Sequence, residues 1–155
     1  MSESERLADQ IRRAFDGEAW HGDSLREILR DVNAATASAR PIPDAHTIWE
    51  LVLHITTWDE VTITRIGGTP KMPTDDENFP KVKDTSEAAW QRSLGQLWQT
   101  HDALVKAVAG FPDARLAEPV PGKTGDYYNF FYLFSGIVQH ELYHAGQIVL
   151  LKKFR

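Results

Sequence analysis

The segment that runs from residue 127 almost to the end of the chain carries the feature that most constrains the fold. Its apolar and histidine positions recur in steps of three and four, the spacing of one face of an α-helix. These positions are Phe130, Leu133, Ile137, His140, His144, Ile148 and Leu151. Two histidines therefore occupy core positions of a predicted long helix that begins near Tyr127.

Three further segments show helical periodicity, and no stretch shows the sustained alternation of a half-buried strand. The first runs from Ser2 to Asn33 with an interruption at Asp16-Gly17, and Ser24 is expected to cap its second piece. The second runs from Thr47 to Ile66 and the third from Thr85 to Ala109. The sequence thus predicts an all-α protein, a four-helix bundle.

The connection from Gly67 to Asp84 is unusually long for such a bundle. It contains three prolines and exceeds the two to eight residues that usually join bundle helices. We therefore expect a crossover between helices two and three, which need not be antiparallel neighbours. Its acidic run, residues 75–77, lacks the alternating ligands and the glycine of a calcium loop and is interpreted as a solvated linker. The segment from Phe111 to Asp126 is predicted to be a loop.

Composition narrows the classes of function. The chain has no cysteine, which excludes disulfides, thiolate ligands and a cysteine nucleophile. A net charge of −5 opposes binding to nucleic-acid phosphates. The polar N-terminus lacks the apolar region of a secretory signal, and no apolar run reaches the ~18 residues of a membrane span. We expect one domain, 1–155, in a cytoplasmic protein without nucleic-acid or membrane partners.

A third histidine, His54, lies in a similar inward stripe on helix two, with Leu51, Trp58 and Val61. Residues four apart on a helix have Cβ atoms roughly 6 Å apart, so His140 and His144 can reach a common point. Burying several imidazoles without partners costs roughly 1–3 kcal/mol each, whereas one metal ion satisfies three nitrogens. We expect these three histidines to bind one divalent metal ion. Three separate core histidines, each bonded to a backbone carbonyl, are the alternative.

Residues 140–144, HELYH, also fit the H-E-x-x-H pattern of zinc proteases, in which the glutamate is the general base. The extended form of that pattern needs a glycine and a histidine where this chain has Gln147 and Leu150. Only eleven residues follow His144, too few for another ligand-bearing helix, so a protease is disfavoured. Glu141 is our candidate general base, although it lies about 100° around the helix from the preceding residue. A solvent-facing salt bridge, or support of a metal ligand, is the alternative role.

Three segments of the chain resemble the DinB/YfiT-like superfamily, whose members are four-helix bundles with a three-histidine metal site. They are residues 20–25 (WHGDSL), 49–55 (WELVLHI) and 140–148 (HELYHAGQI), and the resemblance covers essentially the whole chain. It places the family's ligand positions on His54, His140 and His144. Position 145 is Ala where many relatives carry a basic residue, so no anion contact is expected there.

The resemblance implies a metal and a range of activities. Zinc or nickel is the expected ion, with iron or manganese as alternatives, because imidazole suits all four. The superfamily includes transferases and isomerases that use low-molecular-weight thiols, metal-dependent hydrolases, and members without an established activity. A small-molecule substrate, with a low-molecular-weight thiol as one candidate, is therefore implied.

Three imidazole ligands leave at least one coordination position open, as in catalytic zinc sites. An enzyme would use the metal to lower the pKa of a bound water towards about 7, or to deprotonate a substrate thiol. The alternative is a non-catalytic stress protein that binds metal or a small ligand. His21, beside Trp20 and Gly22, is interpreted as a helix-break or packing residue and not as a ligand.

We also expect a homodimer, because bundles of this family often pair. Aromatic residues cluster where helix four begins, and part of that surface is a candidate interface. They are Tyr127, Tyr128, Phe130, Phe131 and Tyr132. The alternative is that they close one end of the monomer core.

Overall fold

The computed structural model describes residues 1–154, and within this range the chain forms helices and no strand. The helices are α1 (Glu3–Asp16), α2 (Leu25–Leu29), α3 (Ala34–Ser38), α4 (Ile48–Ile66), α5 (Asp75–Asn78), α6 (Glu87–Ala109) and α7 (Phe130–Lys152). A short 3₁₀ turn, Asp113–Arg115, follows α6. The all-α prediction is confirmed, and the four long helices are α1, α4, α6 and α7.

Polar caps set where the long helices begin. At α4 the Thr47 hydroxyl accepts from the Glu50 N–H at 3.1 Å, and the Glu50 carboxylate accepts from the Thr47 N–H at 2.9 Å. These bonds satisfy amides that the first helical turn leaves without partners. At α7 the side chain of Asn129 accepts from the Tyr132 N–H at 2.9 Å. The cap places the first residue of α7 three positions later than the predicted Tyr127.

The first predicted helical region divides into three helices instead of two. Its second piece begins after Ser24 as expected, where the Ser24 N–H donates to the Glu27 carboxylate at 2.8 Å. The region does not end at Asn33, because the Asn33 side chain accepts from the Thr36 N–H at 2.9 Å and starts α3. That short helix was missed, since five residues are too few for a periodic pattern.

The long helices follow the order α1, α6, α4, α7 around the bundle. Helices α4 and α6 run in parallel. The indole N–H of Trp49, near the start of α4, donates to the Ser93 hydroxyl at 3.0 Å, and further along both helices Asp59 Oδ2 lies 3.2 Å from His101 Nδ1. The connection 67–84 must therefore return along the bundle, which confirms the predicted crossover.

The crossover is fastened to α4 at several points. Fully buried Arg65 donates to the Lys71 carbonyl through Nε at 3.0 Å and Nη2 at 2.7 Å. The Thr57 hydroxyl donates to the Glu77 carbonyl at 2.9 Å. The acidic run 75–77 is solvent-exposed, as expected, but it forms the helical turn α5 instead of an irregular linker. The crossover thus lies against the helix that carries His54.

Two groups of buried side chains fill the bundle. One surrounds Trp49 and Trp90, whose ring centroids lie 5.1 Å apart, and the other surrounds Phe130 and Phe134. The expected inward residues of α6 are all buried: Ala89, Leu94, Leu97, Leu104 and Val108. On α7, six of the seven stripe positions are buried and His140 is partly exposed. None of the helices within residues 1–154 combines the length and apolarity needed to cross a membrane.

Candidate metal centre

The structure brings the three predicted histidines together. His54 projects from α4, and His140 and His144 project from one face of α7. His140 Nε2 lies 3.0 Å from His54 Nε2 and 3.1 Å from His144 Nε2. One nitrogen from each ring lies within 4.8 Å of the others, a spacing that allows one metal ion to contact all three.

The second nitrogen of two rings is held by an oxygen. His54 Nδ1 lies 2.7 Å from the Asn78 carbonyl, at the end of α5, and His144 Nδ1 lies 2.6 Å from Gln147 Oε1. Because a carbonyl oxygen can only accept, each Nδ1 carries the proton and each Nε2 presents a lone pair. Histidines that bind metals are typically oriented by this kind of hydrogen bond.

The electrostatics of the three rings favour the neutral form that a metal ligand needs. Burial lowers the pKa of His54 to about 4. Burial, together with the neighbouring His144 and His54, lowers the pKa of His140 to about 3. Burial also lowers the pKa of His144. At neutral pH all three imidazoles are therefore unprotonated at one nitrogen and available to bind a cation.

Proton sharing alone does not account for this arrangement. His54 and His144 both turn a lone pair toward His140 Nε2, which carries at most one proton, so one of the two contacts brings two lone pairs together at about 3 Å. A metal ion between the rings would satisfy all three lone pairs. Tetrahedral ligands 2.0–2.1 Å from zinc lie roughly 3.3 Å apart, close to the two observed separations. The residues therefore fit a divalent transition-metal ion.

A cavity of about 510 Å³ opens directly onto the three rings, and all three histidines line it. Its remaining wall is largely aromatic, with Trp58 and Phe79 on one side. Phe79 stacks on the His54 ring at a centroid distance of 4.1 Å, and the Trp58 indole donates to Asn78 Oδ1 at 2.9 Å. The crossover therefore supplies both part of the wall and the acceptor that orients His54.

Glu141 is buried between helices, which the residues around it in the sequence did not indicate. Its side chain is 1% exposed, so the solvent-facing alternative is wrong. It does not line the cavity and points instead towards α6, where its Oε1 lies 3.0 Å from His101 Nδ1. Asp59 of α4 approaches the same nitrogen, with its Oδ2 at 3.2 Å. These three buried residues, Asp59, His101 and Glu141, are called the acid–histidine cluster below.

The charges of the acid–histidine cluster depend on one another. Burial raises the pKa of Glu141 to about 7, and burial also raises the pKa of Asp59. Burial alone would lower the pKa of His101, but the hydrogen bond with Asp59 and the ion pair with Glu141 outweigh this effect and raise it to about 9. His101 is therefore a protonated, buried cation between two acids, with its ring stacked on Phe15 at 3.6 Å.

The acid–histidine cluster is a second group of potential metal ligands, which no pattern in the sequence indicated. The ligand atoms of the cluster also lie within 4.8 Å of one another. His101 continues the inward stripe of α6 between Leu97 and Leu104, so periodicity alone could have found it. Its pairing with Asp59 and Glu141 depends on the parallel packing of α4 and α6, which no local pattern reveals.

Of the other residues singled out from the sequence, His21 lies away from the cavity of the three rings, and the aromatic run at the start of α7 lies partly beside it. His21 is exposed and borders a separate surface cavity with Trp20, which is itself fully exposed. The aromatic run at the start of α7 is divided between environments. Phe130 is buried in the core and Tyr132 lines the cavity, whereas Tyr127 is 66% exposed. Core closure therefore accounts for part of the run only.

The fold and the site define a class of helical-bundle proteins in which three histidines from two helices face one cavity. A family model for the DinB superfamily matches residues 19–148, from the segment before α2 to within four residues of the end of α7. The chain belongs to the DinB superfamily. Comparison with curated proteins and with solved structures found no match.

Proposed function

We propose that the protein binds one divalent transition-metal ion on His54, His140 and His144 and uses its open coordination position to act on a small molecule. The observation that carries this proposal is that all three rings line one cavity. A ligand that enters the cavity could therefore reach the coordination position of the metal that no protein side chain occupies. Zinc and nickel are the ions we favour, with iron and manganese as alternatives.

As an enzyme, the protein would be a thiol-dependent transferase or a hydrolase. The bound ion would supply Lewis acidity, which favours the deprotonated form of a thiol or water. The chain itself holds the imidazoles neutral, orients two of them through Asn78 and Gln147, and surrounds the ligand with apolar walls.

The general-base role of Glu141 stays a prediction. A pKa raised by burial to about 7 suits a residue that accepts and returns a proton near neutral pH. However, the carboxylate faces His101, so this role requires that water or substrate reach it from the side of the metal centre. Its alternative role is to hold α7 in register against α6 through the acid–histidine cluster.

A second candidate function is binding without catalysis, as in a stress protein that holds a metal or a small ligand. It is favoured by the absence of any carboxylate, lysine or arginine among the described residues that line the cavity. In that case the metal would be the only strong charge available to a ligand. Turnover of low-molecular-weight thiols or esters by the metal-loaded protein supports the enzyme, and tight metal binding without turnover supports the binding protein.

The first test is metal content, measured by elemental analysis of the purified protein and after loading with zinc or nickel. We expect close to one ion per chain, and His140→Ala and His144→Ala should each abolish binding. His21→Ala is the matched control, because this exposed histidine lies outside the cavity and should keep full stoichiometry. A wild-type protein that carries no metal and binds neither ion would contradict the proposal.

Cytoplasmic location and a homodimer complete the proposal. The dimer is supported by two aromatic side chains at the start of α7, Tyr127 and Phe131, which are 66% and 46% exposed. Exposed aromatic residues are enriched at interfaces between protein chains.

A further inference from the structure

The wall of the cavity next to the three histidines has an unusual chemical composition. Besides the histidines, it contains five aromatic residues, Trp58, Phe79, Tyr128, Tyr132 and Tyr143. Aliphatic surface comes from Leu133 and Ile137 of α7. At about 510 Å³, the space lies in the range of cavities that enclose most of a small organic ligand.

The polar groups of this wall, apart from the three histidines, are uncharged: the hydroxyls of Tyr128, Tyr132 and Tyr143 and the side-chain amides of Asn78 and Gln139. The side-chain oxygen of Asn78 already accepts from the Trp58 indole at 2.9 Å. Among the described residues, no carboxylate, lysine or arginine lines the cavity. A ligand therefore gains charge-based binding only at the metal. The rest of its binding free energy comes from apolar and aromatic contact and from hydrogen bonds with these uncharged groups.

Two positively charged groups lie against rings of this wall. The guanidinium of buried Arg65 lies behind Trp58, with Cζ 5.6 Å from the ring centroid. Lys123 Nζ lies 5.2 Å from the centroid of Tyr128. No carboxylate lines the cavity itself, so these two groups and a bound dication are the charges that act at its surface. Anionic head groups are favoured there and cationic substituents are disfavoured.

We infer that the cavity selects ligands that combine a compact anionic group for the metal with an uncharged aromatic body for the wall. This inference rests on the proposed metal site and extends it to the class of substrate. A thiolate, carboxylate or hydroxamate directly attached to an aromatic ring or to a short aryl-alkyl group meets both requirements. Small hydrophilic ligands and ligands with a cationic substituent do not.

Three hydroxamates test this inference by titration calorimetry on the zinc-loaded protein. Acetohydroxamate reports on the metal alone, benzohydroxamate adds an aromatic ring, and 4-(aminomethyl)benzohydroxamate adds a cation to that ring. We expect benzohydroxamate to bind at least about tenfold more tightly than acetohydroxamate, because the ring is buried against the aromatic wall. The cationic derivative should lose most of this gain.

A pair of neighbouring substitutions locates the effect in the cavity. Tyr132→Ala removes one ring of the wall, whereas Phe131→Ala removes an exposed ring that does not line the cavity. The two side chains are 49% and 46% exposed, so both variants should fold. The preference for benzohydroxamate should fall at least threefold in Tyr132→Ala and stay unchanged in Phe131→Ala, while the affinity for acetohydroxamate stays the same in both.

The outcomes separate this inference from the proposed function. If zinc binds and acetohydroxamate binds, but the aromatic ring adds no affinity or the cationic derivative binds best, the inference is overturned and the metal site stands. If zinc binds and none of the hydroxamates does, the cavity does not give access to the metal and the inference also fails. If elemental analysis finds that zinc does not bind, the proposed function fails and the inference fails with it.

Discussion

Replacing His101 by Ala tests the acid–histidine cluster most directly. In the native protein this imidazolium lies 3.2 Å from Asp59 Oδ2 and 3.0 Å from Glu141 Oε1, and each of the three side chains is 1% exposed. The variant leaves two buried carboxyl groups without their cation, and each must then either stay charged in a buried site or take up a proton. Removing one partner of a buried ion pair costs about 3–5 kcal/mol, because the remaining charge is uncompensated.

The expected change in melting temperature follows from this cost. For a protein of this length, 1 kcal/mol corresponds to a shift of roughly 2–4 °C, so His101→Ala should lower Tm by about 6–20 °C at pH 7. The loss should also depend on pH. A carboxylate whose folded pKa lies above its unfolded value is stabilising at low pH and loses that contribution as pH rises. The deficit should therefore be smaller at pH 5 than at pH 8.

Leu97→Ala is the matched control, since Leu97 is also fully buried on α6, one turn before His101. It should cost about 2–5 kcal/mol through lost packing, with little difference between pH 5 and pH 8. Differential scanning calorimetry of both variants across this range measures the contrast. If His101→Ala lowers Tm by less than about 3 °C, or shows the same pH-independent loss as Leu97→Ala, the reasoning about the buried ion pair is refuted.

Four further predictions concern the metal centre and the assembly. In metal-free protein the folded pKa values of His54 and His140 are about 4 and 3, below the unfolded value of about 6.5. Thermal scans should therefore show stability falling as pH drops from 6.5 toward 4. An unchanged Tm down to pH 4.5 would contradict this prediction. Gln147→Leu removes the acceptor for His144 Nδ1 and should weaken zinc binding about 10–100-fold in competition with a chelator. Gln99→Leu, at an exposed position of α6 outside the cavity, should change zinc binding less than twofold. If Glu141 is the general base, Glu141→Gln should keep the metal and lose thiol-transfer or hydrolytic activity. Loss of the metal would show that metal binding itself requires Glu141. Retained activity would exclude the general-base role. Light scattering at micromolar concentration should give the mass of a dimer, and a monomeric mass would contradict the proposed assembly.

The sequence predicted the long helices more completely than it predicted the short helices and the packing of the helices against one another. The ends of α4 and α6 at Ile66 and Ala109 were predicted to the residue, because Gly67 and Gly110 follow them directly. The length of the crossover correctly indicated a connection that runs back along the bundle, so that α4 and α6 need not be antiparallel, and the structure shows that they are parallel. The short helices α3 and α5 were missed, since side-chain caps and not periodicity define them.

In the candidate site, too, contacts within one helix could be predicted from the sequence and contacts between distant segments could not. The grouping of His54, His140 and His144 followed from two inward stripes, because residues on one helical face share a direction. The acceptors of the two Nδ1 protons differ in origin. Gln147 lies three residues after His144 on the same helix, but the Asn78 carbonyl comes from the crossover, 24 positions from His54. Such contacts depend on the path of the chain in space and leave no local pattern.

The parallel packing of α4 and α6 has a consequence for how the protein folds. Consecutive helices in an up-and-down bundle can form local hairpins early, and this keeps the sequence separation of their contacts low. Here Trp49 meets Ser93, and Asp59 meets His101, so these contacts join residues more than forty positions apart. Each requires closure of the whole crossover before it contributes any stability. Refolding should therefore be slower than in an up-and-down bundle of equal length, and docking of the crossover on α4 should accompany the rate-limiting step.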